Sequence, residues 1–225
     1  YPMTPADISV VIPAINEEAE IGAAIQSAFL AGAGEVIVAD GGSQDATITE
    51  AEKWGATKVV HSLPGRGVQL NAGAALVDPV KEAIVFLHAD NRLGDQCLKQ
   101  ICEQDCISWG AFHQRIQSKR LVFRMIEWGN AIRVIFRRVP FGDQAIFVTK
   151  AHFLRLGGFE EISLMEDIAF ARKMRRHHKP VLLEGPIMVS SRRWEKRGVL
   201  RQTLQNWALQ FAYSVGVSPG RLSRW

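Results

Sequence analysis

Cysteine is scarce: the 225 residues hold three, Cys97, Cys102 and Cys106, crowded into one short segment. An odd number at that spacing builds no disulfide framework, and no fourth ligand stands at zinc spacing, so both are excluded. The thiols read as reduced groups on a helix face, and a cytoplasmic location is expected. Long apolar runs are missing too. None approaches the roughly 20 residues that cross a bilayer, and no charged-then-apolar segment opens the sequence. Any membrane contact is therefore expected to be peripheral, on the cytoplasmic face. Repeats, low-complexity tracts and linkers are also absent, which leaves one domain over 1–225: a nucleotide-binding half (1–95) and an acceptor-binding, helical C-terminal half (96–225).

A strong charge excess is lacking as well. Lys+Arg 27 against Asp+Glu 23 gives a net charge of +4 and a pI near 9.1, far from the density of a dedicated nucleic-acid binder. No nucleic acid partner is expected. The basic groups are unevenly spread, because only Arg66 and Arg92 among the arginines precede residue 115. That asymmetry suits anionic small molecules or a weak attraction to an anionic membrane surface.

What is present is an alternation of strands and helices. "ISVVI" (8–12) is an apolar, β-branched run ended by Pro13, the pattern of a strand buried on both faces. Asn16 is placed to cap a helix over about 17–31, with Glu17, Glu18 and Glu20 in its first turn. The unit recurs as "EVIVAD" (35–40) with a helix near 45–54, then "TKVVH" (57–61) with a helix near 67–77, then "AIVFLH" (83–88). This rhythm predicts an α/β fold with a mostly parallel open sheet and helices on both faces. Function in such sheets sits at the carboxyl ends of the strands. Residues 13–17, 40–43 and 88–90 are therefore expected to meet in one crevice.

Beyond residue 96 the pattern predicts a basic amphipathic helix or helix pair over 118–138, broken near Gly129, and a strand over 145–150. A helix opening on Glu166 and Asp167, strand pieces "VLLE" and "IMVSS", and a long amphipathic helix over 197–215 follow. The two amphipathic stretches carry apolar residues at helical spacing beside Arg and Trp, as interfacial helices do, although such stripes are more often core. The large helical surface is compatible with a homodimer.

Several residues can carry chemistry. Asp40 ends a strand before two glycines and could accept hydrogen bonds from a base or ribose, or could simply form the turn. Arg66, between glycines at a helix start near Gln69 and Asn71, suits a diphosphate or is a solvated loop arginine. Asp90 could hold a divalent cation, with phosphates and water filling the shell, or could cap a helix over "NRLGDQ". His88 is either a hydrogen bonder beside that metal or a strand end. Glu166 and Asp167, about 100° apart on a helix, can supply one general base and one orienting partner, or merely complement the helix dipole. In "SSRRWEKRG" (190–198), Arg192, Arg193 and Arg197 surround Trp194, an arrangement that suits phosphate plus a stacked ring or is a basic surface turn.

Taken in order, "VVIPAINEE", "VIVADGGSQD", "GRGVQLNAGA", "FLHAD", "GDQAIF", "GGFEEISLMEDIAFARKM" and "SSRRWEKRGV" resemble the motifs of family 2 glycosyltransferases. The likeness is nearest to the short bacterial subgroup called RfbF-like or arsenosugar-biosynthesis-type. It implies a GT-A fold, a Mg²⁺ or Mn²⁺ ion, and inverting transfer of a sugar from a nucleoside diphosphate donor, a UDP-sugar before others, to a hydroxyl acceptor. By position it implies that Pro13 and Glu17 line the nucleotide pocket, Asp40 reads the base, Arg66 serves the donor and Asp90 binds metal. Glu166–Asp167 then match the ED pair whose aspartate is the base, with Arg192, Arg193 and Trp194 beside the donor. His88 replaces the first carboxylate of the family's DxD motif, and the QxxRW motif of processive members is absent although "SRRW" stands.

Two rival readings are kept. A sugar-nucleotide pyrophosphorylase needs a glycine- and arginine-rich phosphate loop after the first strand, where this sequence has the acidic "PAINEEAE". A non-catalytic module binding phosphate or a membrane surface through the basic C-terminal half needs no turnover at all.

Overall fold

The computed structural model describes residues 2–192, 194 and 198–222. In chain order the elements are β1 (Ile8–Ala14), α1 (Ile21–Leu30), β2 (Glu35–Asp40), α2 (Thr47–Lys53), β3 (Lys58–His61), α3 (Arg66–Ala75), β4 (Ala83–Phe86) and β5 (Asn91–Leu93). Then come α4 (Cys97–Cys102), β6 (Trp109–Ile116), α5 (Leu121–Ile132), β7 (Phe147–Thr149), α6 (Lys150–Arg155), α7 (Glu166–Met174), β8 (Val181–Val189) and a C-terminal helix Val199–Ser214. The strands form one sheet in the order β3-β2-β1-β4-β7-β6-β8-β5. Its first four strands are parallel, and β7 and β5 are antiparallel to their neighbours. The expected α/β, mostly parallel sheet is what the chain forms.

The sheet is central because β1, β2 and β4 have no solvent-exposed face. Successive residues of β1 and β4 send side chains to opposite cores, as the two-residue period requires. Ile8, Val10, Ile12 and Val85 pack with α1, α4 and Phe123 of α5. Val11, Ile84 and Phe86 pack with α3, α6 and α7 on the other side. Gly73 lets α3 lie close on the sheet: a Cβ there would stand 2.4 Å from Val11 Cγ1, inside any tolerable contact. Sequence order reverses at β1, with β2 and β3 on one side and β4 on the other. The crevice that holds ligands in such sheets opens there.

Several expected local features differ. Asn16 does not cap α1, which starts at Ile21; it sits at φ 53° and ties two loops. Its Oδ1 accepts from Gln44 N at 2.8 Å and its N–H donates to Ser43 Oγ at 2.9 Å. Its side chain thus satisfies the neighbouring loop in place of a helix end. The helix after residue 120 runs through Gly129 and changes to a π-type turn over Arg133–Arg137. "VLLE" and "IMVSS" are parts of one strand, β8, because both ends pair with β6 in register across an irregularity at Phe112/Gln114. Asp90 caps no helix: the next residues form β5, held against β8. The cysteines lie on or beside α4, and burial pushes the thiols of Cys97 and Cys102 up to about 12 and about 11, which leaves them inert.

Among the described residues no helix is long and apolar enough to cross a membrane.

Candidate active site

A polar cavity of about 320 Å³ opens at the carboxyl ends of β1 and β4, and α3 and α7 enclose it. Pro13, Ala14, Ile15 and Glu17 come from the loop after β1, and Gly65, Arg66 and Gln69 from the start of α3. His88, Ala89 and Asp90 follow β4, and Ser163, Leu164 and Glu166 lead into α7. The fold therefore brings together Pro13, Glu17, Arg66, His88, Asp90 and Glu166, residues separated by up to 153 positions in the chain.

Each wall has a local cause. Gln69 is buried, and its Nε2 donates to Ala14 O at 2.9 Å and Ala39 O at 3.0 Å, clamping the ends of β1 and β2 together. Asn71, two residues on, acts as a backbone surrogate: Phe159 N donates to its Oδ1 at 2.9 Å and its Nδ2 donates to Phe159 O at 2.9 Å. That pair fixes the segment leading to α7. Met165, at φ 70°, turns the chain sharply just before Glu166. Positive φ outside glycine is uncommon and costs about 1 kcal/mol or more, so surrounding contacts hold this turn.

Glu166 is buried, and Arg66 Nη1 reaches its Oε1 at 3.3 Å. Burial raises the Glu166 carboxyl above its usual range, the charge of Asp167 adds to the effect, and Arg66 opposes it. Asp167 is half-buried and points elsewhere. Its Oδ2 accepts from Gly142 N at 2.8 Å and its Oδ1 from Ile168 N at 2.7 Å. Gly142 brings His88 to the same place, since a Cβ on Gly142 would lie 2.7 Å from His88 Nε2 and 3.5 Å from Asp167 Oδ2. Asp167 thus stands at the border of the cavity, beside the histidine that lines it.

The other candidates sit differently. Asp40 is fully buried and does not line the cavity; its carboxylate accepts from the N–H groups of Gly42 (2.9 Å) and Ser43 (3.0 Å) and from the Ser43 hydroxyl. It adjoins the cavity through Gly41, which touches Ile15 and Gln69. Arg192 pairs with Glu20 at 2.7 Å, and Glu20 also holds Arg92. Trp194 packs edge-on against Phe123 with ring centroids 5.9 Å apart. Neither Arg192 nor Trp194 lines the cavity, and Arg193 and Arg197 lie outside the described residues.

The loop Gly142–Gln144 escaped notice in the sequence as anything beyond a motif fragment. Asn91 Nδ2 and Gln114 Nε2 both donate to Asp143 O at 3.1 Å, pinning the loop against β5 and β6. Asp143 Oδ1 is sealed from solvent with no hydrogen-bond partner among the described residues. Burial raises its carboxyl above the usual range; Arg133 opposes this, and Asp167 and Asp90 add to it. Burial in turn holds Arg133 down to about 10. An acidic residue inside the otherwise apolar "VPFGDQAIF" was the available signal. Among the described residues no three His, Cys, Asp or Glu side chains group as metal ligands.

The family model for glycosyl transferase family 2 matches residues 9–161. The structure resembles TarS of S. aureus (residues 1–349) with a TM-score of 0.65 at 18% identity, over 82% of this chain and 60% of that one. It also resembles glucosyl-3-phosphoglycerate synthase from Mycobacterium tuberculosis, solved in complex with Mn²⁺, UDP and glucosyl-3-phosphoglycerate. There the TM-score is 0.57 at 21% identity, over 81% of this chain and 70% of that one. The chain therefore spans less than two thirds of the TarS fragment. No curated protein matched the sequence.

Proposed function

The chain belongs to glycosyl transferase family 2 and has its GT-A fold, and on that premise we propose that it is an inverting, metal-dependent glycosyltransferase. It moves a sugar from a nucleoside diphosphate sugar to an acceptor hydroxyl. The observation that carries this reading is the cavity at the strand ends, where Asp90, Arg66, His88 and Glu166 meet and Asp167 stands at the border. A UDP-sugar is the first donor to test, because UDP occupies the mycobacterial synthase with Mn²⁺ or Mg²⁺. The order of "GDQAIF" and "LMEDIAF" supports a place in the RfbF-like or arsenosugar-biosynthesis-type subgroup. Residues 1–95 serve as the nucleotide-binding half and 96–225 as the acceptor half of one domain.

In this mechanism Arg66, at the N-terminus of α3, faces the donor diphosphate with a fork of N–H donors and the favourable end of the helix dipole. The donor set fits a hard divalent cation: Asp90 offers carboxylate oxygen on the cavity wall, and such ions take most of their ligands from phosphate and water. Asp90 would hold the Mg²⁺ or Mn²⁺, which when bound would neutralise charge on the diphosphate. Asp167 takes the proton from the acceptor oxygen as that oxygen attacks the anomeric carbon on the face opposite the diphosphate. One displacement needs one base, so Glu166, protonation-prone and paired with Arg66, orients the donor side. Asp40 reaches the base only if Ser43 yields its hydrogen bonds.

The test is titration with UDP, GDP and their sugar conjugates in the presence of Mn²⁺, followed by donor hydrolysis and transfer assays. Binding of at least one nucleoside diphosphate with slow hydrolysis is expected; no binding to any of them ends the proposal. The acidic loop after β1 at the cavity gives a pyrophosphorylase no support, since it would repel a triphosphate.

A further inference from the structure

A second cavity, of about 810 Å³, lies between α5, the turn that follows it, α7 and the C-terminal helix. Its wall is mainly apolar, built from residues such as Val122, Ile126, Ile132, Val139 and Phe211. Four arginines also line it, Arg133, Arg137, Arg172 and Arg175, while no aspartate or glutamate is among its described lining residues. The hydrogen bonds of these arginines are to neutral groups, although Arg133 also interacts electrostatically with Asp143 and with Asp167. Arg133 donates to Asn130 Oδ1 at 2.8 Å, Gln144 Oε1 at 2.7 Å and Val139 O at 3.0 Å. Arg175 donates to Arg137 O at 2.8 Å, and Arg172 lies over the Tyr213 ring at 4.8 Å. Among the described residues none of the four is ion-paired.

The apolar stripes are only partly core: Phe123, Ala131 and Val199 are buried, whereas Met125 and Phe211 of the wall are 72% and 68% exposed and Phe136 is 77% exposed, with Trp128 and Ile135 also exposed on the same helical segment. The wall borders the candidate site through the chain: Phe141 and Ile168 line it, and they are the immediate sequence neighbours of Gly142 and Asp167, which are hydrogen-bonded to each other. A space of this size suits a ligand rather than a void. Apolar walls with unpaired guanidinium groups suit an apolar chain ending in an anion.

We propose that this cavity is the acceptor site and that the acceptor is an amphiphile with a single apolar chain and a phosphate-bearing head, which brings its reacting oxygen to Asp167. The acceptor role rests on the glycosyltransferase reading; the binding itself does not. The ligand is a free amphiphile taken up as a monomer; docking of this face on a bilayer is a different outcome, which the experiment separates.

The experiment is calorimetric titration of the protein with hexyl, octyl and decyl phosphate, inorganic phosphate and octanol, with a UDP–Mn²⁺ titration run on every variant. Affinity is expected to rise roughly fourfold per methylene as the chain buries, and octyl phosphate is expected to bind at least tenfold tighter than octanol or inorganic phosphate. The pair Arg172→Gln and Arg175→Gln should remove about tenfold of the octyl phosphate affinity without changing octanol. The exposed pair Phe136→Glu and Phe211→Glu should abolish chain-length dependence while UDP binding persists, which shows that the variant is folded. Octyl phosphate binding no tighter than inorganic phosphate overturns the proposal. So does sedimentation with phosphatidylglycerol vesicles when monomeric alkyl phosphates fail to bind, because that outcome marks a membrane-docking face instead. UDP binding without alkyl phosphate binding removes the acceptor site alone, and the converse removes the donor reading alone.

Discussion

Replacing Gly142 by alanine probes the one point where the candidate base and the cavity histidine meet. Gly142 is outside the left-handed region, so alanine is free of backbone strain there, and its N–H still donates to Asp167. The added methyl instead lands 2.7 Å from His88 Nε2 and 3.5 Å from Asp167 Oδ2. The second distance is ordinary contact; the first forces the imidazole back by about 0.7 Å to reach the 3.4 Å at which such contact begins. Overpacking costs about 1–3 kcal/mol. The lower end applies because His88 is only half-buried. Displacement of that order at a reacting centre costs on the order of 100-fold in rate. G142A should therefore melt slightly earlier and lose roughly 10- to 100-fold in transfer kcat. In a His88→Ala background the methyl keeps only its ordinary 3.5 Å contact with Asp167 Oδ2, so the second substitution should cost little further, a non-additivity of about 1 kcal/mol or more between neighbours. Transfer rates and thermal melts on the four proteins of the cycle decide it. Equal losses from G142A in both backgrounds would refute the assignment of His88 and Asp167 to one centre.

Other substitutions test separate roles. Asp90→Asn should lose metal-dependent UDP binding, with at least about tenfold weaker affinity in Mn²⁺; chelation should weaken the native protein likewise and leave D90N unmoved. Asp167→Asn should keep UDP affinity and lose about 100-fold or more in transfer, and normal transfer by D167N assigns the base elsewhere. Asp143 carries the pH prediction. Its folded carboxyl is raised above 3.8, so the folded state holds the proton more tightly than the unfolded chain. That stabilising contribution is full below the unfolded value and is lost as pH rises through the raised one. Asp7, Glu35, Asp45 and Glu50 are shifted the opposite way, so the readout is a difference: in urea unfolding the stability of the native protein relative to Asp143→Asn should fall as pH rises through this range. Glu166, shifted in the same direction as Asp143, is common to both proteins and drops out of that difference. A difference that stays flat with pH would place the titration on another group.

The central strands were legible because nothing else explains apolar runs such as "ISVVI" and "EVIVAD", and the convergence of their ends follows from parallel order alone. What stayed hidden depended on partners distant in sequence. Asn16 carries a good capping residue type, yet its nearest acceptor and donor lie on the loop after β2, and those long-range bonds outweigh the local preference. Gly129 reads as a helix breaker, but a single glycine costs only about 1 kcal/mol, which the packing of Phe123 and Ala131 on either side offsets. Asp143 and Gln69 matter through backbone carbonyls and buried neighbours, and neither leaves a periodic trace. The positions of Arg192 and Trp194 depend on Glu20 and Phe123, 172 and 71 residues away, so a basic cluster in the sequence could not say which way it would face.

The order of the acidic pair has a geometric reason. Successive residues on a helix diverge by about 100°, so the first turn of α7 sweeps across three environments. Glu166 lines the polar cavity with Arg66 and Asp90, Ile168 lines the apolar one, and Asp167 lies between them, bound to Gly142 beside His88. Reversing the two acids would bury the aspartate against Arg66 and leave the longer glutamate at the seam, overrunning the Gly142 N–H that now fixes the base. The left-handed turn at Met165 sets the phase of this sweep, since it decides which side of the helix residue 166 occupies. A base between the proposed donor and acceptor cavities would require no movement of the sheet. It requires one helix to begin at the boundary, with its second residue on the dividing line.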